Sequence, residues 1–119
     1  MSFLIKEYTH KTTASPESIW HFYSNQASWP TWDHELEYVK PHGPFQTGQT
    51  GILRPKGGPE VKFVMAECVP NKKFSDISSL PLTKLRFDHT LVRQGDITLI
   101  THKVTISGLL AFFFKFVLA

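Results

Sequence analysis

Leu85-Arg86-Phe87-Asp88-His89-Thr90-Leu91-Val92-Arg93-Gln94-Gly95-Asp96-Ile97-Thr98-Leu99-Ile100-Thr101-His102-Lys103-Val104-Thr105-Ile106 reads as two long strands around a tight turn. Gly95-Asp96 is the turn, because glycine tolerates the positive φ that two-residue hairpins require. Pairing Gln94 with Ile97 sets the register. Leu91 then faces Ile100, His89 faces His102, Phe87 faces Val104 and Leu85 faces Ile106. Side chains alternate with period 2, so these pairs share one face. The other face pairs Thr90 with Thr101, Asp88 with Lys103 as a cross-strand ion pair, and Arg86 with Thr105. Val92 opposite Leu99 is its apolar exception. A one-residue slip would mix the oily and wet faces.

Beyond this hairpin, Gly108 leads into Leu109-Leu110-Ala111-Phe112-Phe113-Phe114-Lys115-Phe116-Val117-Leu118-Ala119. Leu109, Phe112, Phe113 and Phe116 follow i, i+3, i+4, i+7 spacing and predict an apolar helix stripe. Leu110, Phe114, Val117 and Leu118 make a second stripe. Only one can face the sheet, so the other is expected to be covered by the small helices around Trp20 and Trp32, by another copy of the chain or by a segment beyond Ala119, with self-association the expected outcome if the chain ends there.

Upstream, residues 2–13 predict a first strand. Ser15-Pro16-Glu17 announces a helix, with Ser as N-cap, Pro at the first helical position and an acid in the first turn. That helix ends near Asn25, and residues 28–33 form a second short helix or turn. Strands follow over Leu36 to Pro41, Gly48 to Arg54, Val61 to Val69 and Phe74 to Ser79. The reading is an α+β domain, residues 1–119, built on a single antiparallel sheet curled around a C-terminal helix, with two short helices after the first strand.

With 119 residues, 41% hydrophobic and 19% charged, the chain is sized and composed for one globular core. Its net charge of +3 is spread along the sequence, without the basic stripe or module of a nucleic-acid binder. One cysteine, Cys68, excludes an internal disulfide and a cysteine zinc cluster. It fits a cytoplasmic setting. No signal peptide is legible, and the run 109–119 falls short of the roughly 20 residues that span a bilayer.

The order of motifs resembles the START-like, helix-grip superfamily, in its polyketide cyclase/dehydrase and lipid transport branch. The residues that carry the resemblance are Ser15-Pro16-Glu17-Ser18-Ile19-Trp20, Trp29-Pro30-Thr31-Trp32-Asp33 and Glu67-Cys68-Val69-Pro70-Asn71. With them go Phe87-Asp88-His89-Thr90-Leu91, Thr101-His102-Lys103-Val104 and Ser107-Gly108-Leu109-Leu110. The resemblance implies a cavity between sheet and last helix that holds lipids, sterols, quinones or polyketides. A minority of members catalyse cyclisation or dehydration, and no catalytic residue is universal. The family's final helix is about twice as long as the segment after Gly108, which as a helix would span only ~18 Å.

Together these readings point to a hydrophobic small molecule or lipid as the partner, with no cofactor and no resident metal. The expected wall is Phe63, Met65, Phe87, Leu91, Ile100 and Val104, closed by Phe112, Phe113 and Phe116. His89 and His102 are the polar handles. They could share a proton, hold a ligand's head group, bind a metal with a third ligand, or simply pack in the wall around a water. The alternation Val61, Phe63, Met65, Glu67, Val69 puts Glu67 at the end of an inward row. There it could act as an acid or base, or reach water at the strand end. Trp29 and Trp32 cap the cavity mouth or anchor their short helix, and Arg54 greets an anionic head or lies exposed. A cyclase- or dehydratase-like enzyme using Glu67 or a histidine is the first alternative. A protein-interaction module using the last helix is the second.

Overall fold

The computed structural model describes residues 2–108. The elements are β1 (Ser2–Thr12), α1 (Pro16–Ser24), a 3-10 turn (Gln26–Ser28), α2 (Trp29–Trp32), β2 (Leu36–His42), β3 (Thr50–Pro55), β4 (Val61–Val69), β5 (Lys73–Leu80), β6 (Thr83–Gln94) and β7 (Ile97–Gly108). The strands form one antiparallel sheet in the order β1-β7-β6-β5-β4-β3-β2. β2 to β7 run as a meander, and β1 pairs with β7 at the far edge. The two helices therefore carry the chain from one edge of the sheet to the other. The C-terminal helix read in the sequence, with Phe112, Phe113 and Phe116, lies outside the described residues.

α1 begins as its sequence dictates. The Ser15 hydroxyl oxygen accepts the Ser18 N–H at 3.1 Å, and Pro16 occupies the first turn. Its Tyr23 and the following Trp29 point onto the sheet. The Trp29 indole stacks on Phe74 at 5.3 Å and donates its Nε1–H to the Tyr23 carbonyl at 2.8 Å. These rings join Val39, Leu53, Phe63, Met65 and Leu91 in the core. Gly51 is required where it stands: a Cβ there would lie 2.6 Å from the Phe63 ring and 2.8 Å from the Lys40 carbonyl.

The β6–β7 register is the one read from the sequence, with Gln94 opposite Ile97, His89 opposite His102 and Leu85 opposite Ile106. Two expectations change. Asp88 is opposite Lys103, but its ion pair is with Arg86 on its own strand at 3.0 Å, and Ser75 donates to the same oxygen. The β4 alternation also breaks. Met65 pairs with Asp76 and Glu67 with Ser75, so one residue, Ala66, is extra. A bulge of this kind reverses the faces of everything beyond it. Glu67 consequently lies on the outer face, where it meets Lys73 at 2.8 Å and Arg86 at 3.6 Å. Lys73 first, then Arg86, holds its carboxyl below the usual range, opposite to the desolvation expected of an inward position.

Candidate ligand-binding site

The inner face carries one continuous cross-strand row: Phe74 on β5, His89 on β6, His102 on β7 and Tyr8 on β1. The four side chains share a face because each is a direct partner of the next. The Phe74 and His89 rings are stacked 4.1 Å apart at 8°. His89 and His102 meet edge to face at 4.5 Å. Tyr8 Oη lies 3.0 Å from His102 Nδ1, and Tyr23 Oη, from α1 above, lies 3.3 Å from His102 Nε2.

Burial sets the charge of this row. It lowers the pKa of His89 well below its ordinary value, and the neighbouring His102 lowers it further. His102 is lowered by burial, then by His10 and Lys6. Both imidazoles are neutral near pH 7. A neutral imidazole has one N–H, so His102 donates to one tyrosine oxygen and accepts from the other. The Tyr23 hydroxyl is pushed far up by burial and stays protonated. His89 Nδ1 is buried without a hydrogen-bond partner.

Two adjoining cavities open beside this row. The smaller, about 150 Å³, lies between α2 and strands β2 to β6. The larger, about 310 Å³, extends across β6 and β7 to Lys6 and Tyr8 on β1. Trp32, Asp33, Glu35, Phe87 and His89 line both, so His89 stands at their junction. Three buried polar atoms without partners, Trp32 Nε1, Ser78 Oγ and His89 Nδ1, belong to residues of the smaller cavity. Asp76 lines it too, only 3% exposed. Its burial, reinforced by Asp33, pushes its carboxyl up to about 7.

The sequence-predicted residues divide. Phe87 and His89 line both cavities, and His102 and Val104 line the larger. Ile100 borders an open groove of about 510 Å³ with Tyr8, Ile19, Phe22 and His102. Phe63, Met65 and Leu91 are packed into the core. Glu67 is on the opposite face of the sheet. Trp29 anchors the helical segment as well as lining the smaller cavity, Trp32 lines both cavities, and Arg54 is half-exposed beside Glu37 at 3.4 Å. Among the described residues, no three of His, Cys, Asp and Glu converge as metal ligands. No described helix is long and apolar enough to cross a membrane.

Asp76 and Ser78 were not anticipated. Their signal was present: the hairpin of β5 and β6 turns at Pro81-Leu82, with Leu82 at φ 55°. Proline suits the first central position of such a turn and a positive φ the second. Carrying the β6 face across that turn puts Asp76 opposite Phe87 and Ser78 opposite Leu85.

No family model matches the sequence, and no curated protein matches it. Solved structures do share its fold. Ara h 8.0201 superposes with a TM-score of 0.70 at 11% identity, over 91% of this chain and 78% of that one. Norcoclaurine synthase from Thalictrum flavum gives 0.67 at 14% identity, over 89% and 69%. The Mll3558 protein from Rhizobium loti gives 0.63 at 19%, over 92% and 81%. At such identities the likeness is one of architecture. The strand order, the two helices after the first strand and these neighbours together show that residues 2–108 have the α+β architecture of these structures, a single antiparallel sheet with two short helices after its first strand.

Proposed function

We propose that this domain binds an apolar small molecule or lipid on the inner face of its sheet, in the paired cavities joined at His89. One observation carries the reading. Three buried polar atoms lacking partners, on Trp32, Ser78 and His89, belong to the lining of one aromatic-walled cavity. Buried polar groups are nearly always satisfied, because leaving one bare forfeits its hydration without return. A ligand with a polar end would satisfy them, and an apolar pocket with few convergent polar groups is the usual design of a small-molecule site. The reading takes residues 1–119 as one domain and needs no cofactor. The lone cysteine fits a cytoplasmic location.

A second reading, a cyclase- or dehydratase-type enzyme, is favoured by Asp76. A carboxyl poised at about 7 in a cavity beside a neutral histidine can exchange protons with a bound substrate. The resemblance to a synthase agrees with this only at the level of fold.

Native mass spectrometry of freshly purified protein should show added mass from a carried-over ligand. A naphthalene-sulfonate or fluorescent fatty-acid probe should bind. Phe87→Trp, which fills space at the junction of the cavities, should weaken that binding by about tenfold, a cost in the range of a few methylene-sized overlaps. A probe that binds the variant as well as the wild type would place the ligand elsewhere.

A further inference from the structure

The smaller cavity has a charge pattern that binding of a purely apolar molecule leaves unused. Asp76, Asp33 and Glu35 all line it, and no lysine or arginine does. Among the described residues no ion pair reaches Asp76, whose backbone partners are Met65 and Phe87. A hydrogen bond from its own backbone N–H opposes the rise in its pKa that burial, Asp33 and Asp88 produce. Ser78, 2% exposed, leaves its Oγ bare on the same wall. His89 is neutral, and with its proton on Nε2 its bare Nδ1 accepts. Trp29, Trp32 and Phe87 add aromatic rings to the same lining. The larger cavity adds Lys6 and Lys103 to its lining, alongside Asp33, Glu35 and Asp88.

We propose that the smaller cavity takes the ammonium group of an apolar primary amine, with Asp76 as its counter-ion and Ser78 Oγ and His89 Nδ1 as further acceptors. An ammonium carries three N–H donors and accepts nothing, which suits Asp76, Ser78 Oγ and His89 Nδ1, while the Trp32 indole N–H is left to an acceptor elsewhere on the ligand. The indole and phenyl rings add cation–π attraction. A hydroxyl could accept from the Trp32 N–H but brings a single donor and no charge to set against Asp76, and a carboxylate would enter a cavity that three carboxyl groups line. The apolar body of the amine then extends past His89 into the larger cavity, along Phe87 and Val104. The inference rests on the cavities being the ligand site, and names the chemistry of what enters them.

Calorimetric titration with naphthylmethylamine, naphthylmethanol and naphthoate tests it, since the three share a frame and differ in the head. At about pH 8 the amine should bind at least roughly tenfold more tightly than the alcohol, and naphthoate most weakly. Asp76→Asn should bring the amine down to the alcohol's affinity. Below about 7 Asp76 holds a proton that the ammonium must expel. Amine affinity should therefore fall roughly tenfold between about pH 8 and pH 6, with close to one proton released at the lower pH. His89 and His102, already neutral, add little to that proton count. Alcohol binding without an amine preference, or a preference that survives Asp76→Asn, overturns the amine while leaving the cavity reading in place. No binding of any of the three overturns both. If Asp76→Asn does not fold, wild-type titrations in two buffers of different ionisation enthalpy decide: amine binding at the lower pH without proton release rejects Asp76 as the counter-ion.

Discussion

At the residue scale, Asp76 and His89 work against stability in opposite pH ranges. The Asp76 carboxyl is raised from 3.8 to about 7 in the folded chain. The native state therefore holds a proton that the unfolded state gives up, and stability falls as pH rises through that window. Asp76→Asn removes the loss. It should stabilise the protein by about 2–4 kcal/mol in urea unfolding near pH 8, and make little difference near pH 4. Equal stability of the two proteins near pH 8 would mean that Asp76 is solvated. His89 has the reverse sign. Its folded pKa lies well below the ordinary 6.5, so protons bind the unfolded chain first and stability is lost as pH falls below that value. His89→Phe keeps the stack on Phe74 and removes the titrating group. Its melting temperature should fall less than that of the wild type on acidification from about pH 7 to pH 5; parallel curves would assign the acid loss to other groups.

At the scale of elements, the sequence makes some strands legible and hides others for a physical reason. The β6–β7 hairpin could be read pair by pair because Gly95 fixes its turn and the pairing runs without a bulge over all twelve residues of each strand. The start of α1 was legible because Ser15 and Pro16 act locally. In β4 the same alternation rule failed at Ala66. A bulge leaves no period-2 trace when the residues around it, Met65, Ala66, Glu67 and Cys68, mix polar and apolar types. Its consequence is large, because it decides whether Glu67 or Cys68 faces inward. The inward placement of Asp76 is hidden in the sequence because it depends on carrying the β6 register through the Pro81-Leu82 turn. The bulge can be tested directly. Deleting Ala66 restores the alternation, turns Glu67 toward the apolar face, and separates it from Lys73 and Arg86. The deletion should lower the melting temperature by roughly 10 °C or more. A neutral deletion would show that β4 reaches its register without the extra residue.

At the scale of the whole molecule, the described residues leave one stretch of the inner face uncovered. Tyr8 is 37% and Phe22 59% exposed, and with Ile19, Trp32 and Ile100 they line the open groove. Aromatic and aliphatic surface gathered in one place marks a contact site. The sequence after Gly108 supplies an apolar stripe, Leu109, Phe112, Phe113 and Phe116, of the kind this groove would accept. Its second stripe, Leu110, Phe114, Val117 and Leu118, then has to meet something else, for which a second copy of the chain is the simplest candidate. Two variants separate these roles. A chain ending at Gly108 would bare the groove, so it should bind more naphthalene-sulfonate dye and scatter more light than the full chain. Phe114→Ser alters only the second stripe, so it should reduce self-association at micromolar concentration while leaving probe affinity in the cavities unchanged. If the shortened chain stays monomeric with unchanged dye binding, segment 109–119 does not cover the groove. If Phe114→Ser leaves the size in solution unaltered, the second stripe is not the surface through which copies meet.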